Sequence, residues 1–324
     1  MVRAADGVVL ALDQGSHASR AVLFGPSGNE LAQAHVPVAT RREGDDRVEQ
    51  DPEELVRSLR TAAQDASDML GDTVIVAAGL ATQRSTIVAW SRSRGNALGD
   101  AISWLDRRNA AWLARLAPVA ARVREITGLP LSPHYGASKL RWCLDHVSAV
   151  QHAAAAHDLV LGPLSTYLVQ GLTQVRSAVV DPANASRTLL FDPTTLDWSP
   201  ELLAVFDFSR EQLPLCVPTW HRYGTLSLAE QRVPLEACTG DQSAAAFAFG
   251  LQHHNRVVDH NPDREYKSQH RQDVHRIPHH VEDREGPNNR HRHHHRRNDR
   301  RTRIPQEHEN HQHHQPKRNA QRDP

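Results

Sequence analysis

Hydrophobic periodicity stops at Gly250, and that break decides how much of this 324-residue chain can fold. Residues 251–324 hold 15 of the 22 histidines and 16 of the 38 Lys and Arg, against one Leu, two Ile and no Phe or Trp. Such a segment cannot bury enough apolar area to offset its ordering entropy, so a disordered His/Arg-rich tail is expected there. Residues 1–250 read as ordinary globular sequence, long enough for one large domain or two lobes around a buried core. The formal net charge of zero is a cancellation, with 22 basic against 27 acidic residues in the body and 16 against 11 in the tail. A mildly acidic body gives no reason to expect nucleic acid or membrane partners.

The tail does not read as a built site. Its histidines, densest in His291-Arg-His-His-His-Arg-Arg297, are irregularly spaced for a metal centre. Its basic residues are diluted by Asp and Glu, and a single Tyr266 makes no platform on which successive bases would stack. A change of reading frame or a misassembled gene explains such an abrupt loss of periodicity more simply than either function. Cys143, Cys216 and Cys238 are odd in number and lack a C-x-x-C pattern, so neither a disulfide framework nor a zinc site is expected. The N-terminus carries no basic and apolar leader, and no run is long enough to span a bilayer, so a cytoplasmic location is expected.

Along the body, Val8–Leu12 reads as a buried strand, Asp13-Gln-Gly-Ser-His17 as a tight turn and Arg20–Phe24 as the returning strand, with a third over 31–38. Asp51-Pro-Glu-Glu54 supplies an N-cap, Pro at the first helical position and Glu behind it. Leu55, Leu59, Ala62, Ala66 and Met69 then form a helical stripe. Strands are expected over 73–81, 86–90 and 159–161, and helices over 107–116, 138–147, 164–170 and 199–206. Strands leading into helices indicate a layered α/β domain. The run Ala244-Ala-Ala-Phe-Ala248 suits a closely packed helix with Gly240 and Asp241 in its first turn. An Asp in that position is ordinarily a cap, and free amides there also favour a carboxylate held for chemistry.

The segment Ala11-Leu-Asp-Gln-Gly-Ser-His-Ala-Ser-Arg-Ala-Val22 resembles the phosphate-binding hairpin that opens the FGGY carbohydrate kinases, their glycerol-kinase branch in particular. Further segments match in the family's order. They are Glu49–Glu54, Gln83-Arg84, Ala101–Arg108, Gly128–Pro133, Ser138–Trp142, Asn184–Leu190, Leu196–Ser199 and Gly240-Asp-Gln242. The resemblance covers about residues 7–250 and implies an α/β, ribonuclease-H-like lobe of the actin and hexokinase type. Residues 1–250 would then be the N-terminal, substrate-binding lobe of an ATP-dependent kinase. Residues 251–324 would stand where the family has its C-terminal, ATP-binding lobe, leaving this form inactive. The family's reaction moves a γ-phosphoryl group to a polyol or sugar hydroxyl, so positioning and charge stabilisation outweigh strong proton abstraction.

By that resemblance, Asp241 is the catalytic base. Its place near a helix start is expected to depress its pKa while leaving it able to accept the proton late in the reaction. Gln242, Arg84, Trp104, Asp106 and His134 would shape the substrate pocket, the charged and amide groups bonding hydroxyls while the indole covers carbon. The Gly15 and Ser16 amides, the Ser16 hydroxyl and Arg20 would face ATP, and Asp13 would hold Mg2+, through water. Two positions depart from the family pattern. Ser85 stands where glycerol kinases carry Glu, and His134 where their pocket Tyr is expected, which implies a polyol or sugar other than glycerol. A noncatalytic polyol-binding or scaffold protein remains the alternative, and a homo-oligomer is left open.

If the composition break marks the end of the folded body, limited proteolysis will strip the tail and leave a resistant fragment ending near Gly250. Protection of the tail equal to that of the body would overturn the expectation.

Overall fold

A computed structural model describes residues 7–228 and 230–249. The tail expected to be disordered lies outside the described residues. β1 (Val8–Gln14), β2 (Ala18–Phe24) and β3 (Glu30–Pro37) form an antiparallel meander, with Leu10 facing Leu23 and Ala21 facing Ala34. Short β4 (Arg41–Glu43) and β5 (Arg47–Gln50) follow. Then α1 (Pro52–Asp68) starts as its sequence dictates: Asp51 accepts from the Glu53 amide at 2.9 Å, and Pro52 occupies the first turn. Its stripe of Leu55, Leu59, Ala62 and Ala66 is fully buried and packs on β2 and β3. Burying each such Leu contributes about 1.5–3 kcal/mol.

β6 (Ile75–Thr82) adds to β1 in parallel, and the strand Gln231–Gly240 adds to β6 in parallel. The strand Trp220–Leu228 then closes the edge of a six-stranded sheet. That closing hairpin is not evident from the sequence. Pro234 interrupts the run, and a register shift between Leu235 and Ala237 breaks the alternation on which strand recognition depends. Pro234 is tolerated because pairing to β6 begins only at Leu235. The side of the sheet turned away from α1 carries small residues, including Ala11, Gly79, Ala81 and Ala237. They line an apolar trough with Phe247, beside which Trp220 is exposed.

Between β6 and that hairpin the chain builds a second sheet. β7 (Ile87–Ser91), β8 (Ala101–Ile102) and β9 (Leu159–Pro163) join β5 and β4 in the order β4-β5-β8-β7-β9. The helix Gly136–His146 covers it around a core that includes Ile87, Ile102, Leu140, Phe191 and Phe206, while the helix Leu164–Thr173 packs mainly against α1 and the first sheet. The helix expected over 107–116 shrinks to Ala110–Ala114. Pro118 starts a separate 3-10 turn there, and a new helix runs over Ala120–Thr127. No helix among the described residues is long and apolar enough to cross a membrane.

The two sheets are tied by the segment after Val180. Asp181 caps the helix Pro182–Ala185, accepting from the Asn184 amide at 3.1 Å and from Asn184 Nδ2 at 2.8 Å. Asn184 Oδ1 in turn accepts from Thr82 at the end of β6. Full burial pushes the Asp181 carboxyl up to about 6 despite those hydrogen bonds. In the unfolded chain it titrates near 4. Below about pH 4 both states hold the proton. Raising the pH from about 4 to 6 makes the folded state carry a proton that the unfolded state has lost, and stability falls by about 3 kcal/mol in all. The difference in unfolding free energy between the protein and Asp181→Asn is therefore expected to change through that window and stay flat above pH 7. A difference independent of pH would show that Asp181 ionises normally.

Candidate active site

Three parallel strands end side by side. Gln14 of β1 pairs with Thr82 of β6, and Gly240 pairs with the same Thr82 from the other side. The residues that follow, Gly15 and Ser16, Gln83 and Arg84, and Asp241 and Gln242, consequently emerge along one sheet edge. The carboxyl ends of parallel strands are where α/β sheets receive ligands. A cavity of about 270 Å3 opens there, lined by Ser16, Gln83, Arg84, Trp104, His134, Arg187, Asp241 and Gln242.

One buried amide organises the floor. Gln83 Nε2 donates to Gln14 Oε1 at 2.9 Å and to Gln50 Oε1 at 2.8 Å, while its Oε1 accepts from Thr86 at 3.1 Å and from Ser16 at 3.3 Å. The Ser16 hydroxyl also accepts from the Trp104 indole at 2.9 Å, which fixes that ring in the wall. Arg84 lies across Gly240. A Cβ at Gly240 would collide with Cγ and Cδ of the arginine, so the absence of a side chain there is what lets Arg84 reach the cavity. Arg84 Nε then donates to Gln242 Oε1 and stands 3.8 Å from Asp241 Oδ1.

Gly240, not Asp241, is the N-cap residue of the helix Asp241–Ala248, and Asp241 opens the first turn. Its Oδ1 accepts from the Gln242 amide at 2.7 Å. The expected depression of its pKa is not found. Burial against the cavity wall raises it, and the Gln242 amide and Arg84 only partly offset that effect. An eight-residue helix offers a weak dipole, and one satisfied amide does not outweigh desolvation.

From the opposite wall, His134 Nε2 meets Oγ of Ser85, which follows Arg84, at 3.4 Å, and the His134 ring packs edge-on against Trp104 and Tyr135. Ser85 takes up a left-handed backbone conformation at φ 65°, a strained choice for a residue with a side chain. Burial, together with Lys139, Arg187, Arg107 and Arg84, drives the His134 pKa down to about 4, so the imidazole is neutral at pH 7. Arg187 stacks over the Tyr135 ring at 4.7 Å. Arg84 is pulled down to about 10 by burial and by repulsion from Arg187. Arg84 Nη1 and Arg187 Nε are buried without a hydrogen-bond partner.

The cavity thus brings together six residues that the sequence nominates: Ser16, Arg84, Trp104, His134, Asp241 and Gln242. Asp13 and Arg20 are not in its lining. They form a half-exposed pair at 3.8 Å at the end of β1, close enough for the Asp13 charge to raise the Asp241 pKa further. The Gly15 amide, expected to face nucleotide phosphates, instead donates to Ala18 O at 3.0 Å and closes the turn. Asp106 is fully buried away from the cavity. Its carboxylate accepts from the Val48 amide at 2.8 Å and pairs with Arg108 at 2.7 Å, leaving nothing to offer a substrate. Gln83 and Arg187 are cavity residues that received no role from the sequence, although both lie in the matching segments Gln83-Arg84 and Asn184–Leu190.

Residues 8–248 match the N-terminal domain of the FGGY family of carbohydrate kinases. The chain belongs to that family. Glycerol kinase from Burkholderia pseudomallei is 36% identical over 248 residues, covering 75% of this chain and 50% of its own length. The fold of this FGGY chain is similar to that of Plasmodium falciparum glycerol kinase with ADP (TM-score 0.72, 23% identity, covering 76% of this chain and 50% of that one). It is also similar to that of xylulose kinase from Rhodospirillum rubrum (TM-score 0.68, 22% identity, covering 75% and 51%). The chain spans about half the length of the relatives it matches.

If the arginine depends on the bare backbone at Gly240, Gly240→Ala will destabilise this FGGY lobe by about 1–3 kcal/mol. The same change will cost little in an Arg84→Ala background, because Gly240 has a φ of −77° that alanine adopts freely. Denaturant unfolding of the four members of that cycle measures the coupling, and additive effects would refute it.

Proposed function

We propose that residues 1–250 are the acceptor-binding lobe of a carbohydrate kinase that transfers the γ-phosphoryl group of ATP to a hydroxyl of a small polyol or sugar. The observation that carries this reading is the meeting of Asp241, Arg84 and Gln242 in one cavity with an indole wall. Arg84 and Gln242 hold acceptor hydroxyls, and the Trp104 ring covers the carbon chain. Asp241 orients the attacking hydroxyl and takes its proton as the new oxygen–phosphorus bond forms and the bridge to the β-phosphate breaks, releasing ADP. A carboxylate whose pKa is raised by burial is a better proton acceptor than an ordinary one.

The donors at the end of β1 fit a hard divalent cation. Asp13 is half-exposed, and its charge is felt by Asp241. Carboxylate oxygens supplemented by water and phosphate are what Mg2+ selects. Bound there, Mg2+ would neutralise charge on the transferring phosphate. Asp13 would hold it and Arg20 would orient Asp13. Use of ATP agrees with a cytoplasmic setting, as do the three free cysteines. The resemblance assigns the remaining nucleotide contacts to a C-terminal lobe, and the chain alone is expected to bind an acceptor without appreciable turnover.

Titrating the full chain with a panel of polyols, ketoses and sugar acids while following Trp fluorescence tests the reading. Binding that weakens at least about tenfold in Arg84→Ala is expected. A panel without a binder would defeat the proposal. Acceptor-dependent ADP release that disappears in Asp241→Asn would support the chemistry and overturn the expectation of inactivity.

A further inference from the structure

The charge balance of the cavity leaves a cation over. Its lining holds two guanidinium groups, Arg84 and Arg187, and one carboxylate, Asp241. The Arg84 side chain is only 10% exposed. Both arginines have their pKa lowered, in each case first by burial, and Arg84 also by the neighbouring charge of Arg187. The remaining ionisable wall group, His134, stays neutral under the same positive field. Lys139, fully buried behind it, is committed to the carbonyl oxygens of Ser103 and His134 at 3.0 and 2.8 Å. Asp106 cannot compensate, since Arg108 occupies it.

A buried charge without a partner is costly, and proteins keep one where a ligand supplies the opposite charge. The cavity gives that demand a location, since Arg84 and Arg187 both line it. Arg187 sits over the Tyr135 ring, its Cζ 4.7 Å from the ring centroid. Two guanidinium groups in one cavity match an anionic group with several acceptor oxygens. A neutral polyol would leave the excess charge in place.

We infer that the acceptor is a polyhydroxy acid, a sugar acid whose carboxylate lies between Arg84 and Arg187 while one of its hydroxyls is presented to Asp241. This rests on the kinase reading given above. The same anionic chemistry could come from the nucleotide's phosphoryl oxygens instead, so binding is measured with no nucleotide present. Acids and polyols of matched length are compared on the full chain by calorimetry: glycerate with glycerol, erythronate with erythritol, xylonate with xylitol. Acetate serves as an anion without hydroxyls.

The expected result is that at least one acid binds about tenfold or more tightly than its matched polyol, the scale of one charge-assisted pair. Acetate should bind far more weakly than that acid, and Arg187→Gln should bring the acid-to-polyol ratio close to one. The comparison on the unmodified chain stands even if the variant fails to fold. Polyols binding as tightly as their acids would overturn the inference and leave the kinase reading intact, as would acetate binding as tightly as the acids. A full acid preference retained in Arg187→Gln would also overturn it. If no acid, polyol or sugar binds, the kinase reading fails and takes the inference with it.

Discussion

The site depends on strand register. β1, β6 and the Gln231–Gly240 strand stop at the same level because Thr82 pairs with Gln14 on one side and with Gly240 on the other. A slip of one residue in any of the three would turn its side chains to the other face of the sheet and carry Arg84 or Asp241 out of the cavity. The slip is prevented by burial. Leu10, Leu12, Leu80 and Leu235 occupy the core side of these strands with almost no exposure, and reversing any of them would put leucines in water. The hydrophobic core therefore sets the positions of polar groups that lie outside it.

Once aligned, the polar residues are governed by desolvation more than by pairing. Asp241, Asp181, Arg84 and His134 are all shifted in the direction that burial dictates, with burial the largest cause for each. Burial outweighs the nearby amides and opposite charges, which moderate these shifts without reversing them. A site of this kind holds its charges in readiness, and its interactions with a bound group are stronger than the same groups would make in water.

Much of this was legible in the sequence where local chemistry and periodicity agree. The Asp51-Pro52 start and leucine stripe of α1, the opening hairpin and the small-residue helix after Gly240 all follow from pattern alone. The closing hairpin did not, because Pro234 and a bulge remove the alternation, although tertiary pairing with β6 makes a strand there. Among site residues, the family pattern nominated Asp106 as a pocket group. A carboxylate two residues from an arginine is indistinguishable in sequence from one that faces a ligand, and only the fold reveals that Arg108 and the Val48 amide consume it. The Gly15 amide is similar, since a turn residue's N–H can serve the turn or a ligand and here serves the turn. Arg187 was hidden for the converse reason, being brought to the cavity by a long excursion through the second sheet.

That excursion divides the cavity into two walls with separate origins. Arg84, Asp241 and Gln242 ride on the ends of the central strands, locked by register and by the Gln83 network. Trp104, His134 and Arg187 come from the inserted sheet and its loops, which meet the first wall through a few hydrogen bonds such as those from Trp104 to Ser16 and from Ser85 to His134. The two walls are thus housed in different modules. Side chains, or whole loops, of the insertion can change without disturbing the strand ends. One half of the cavity is therefore free to diversify while the register-locked half stays constant.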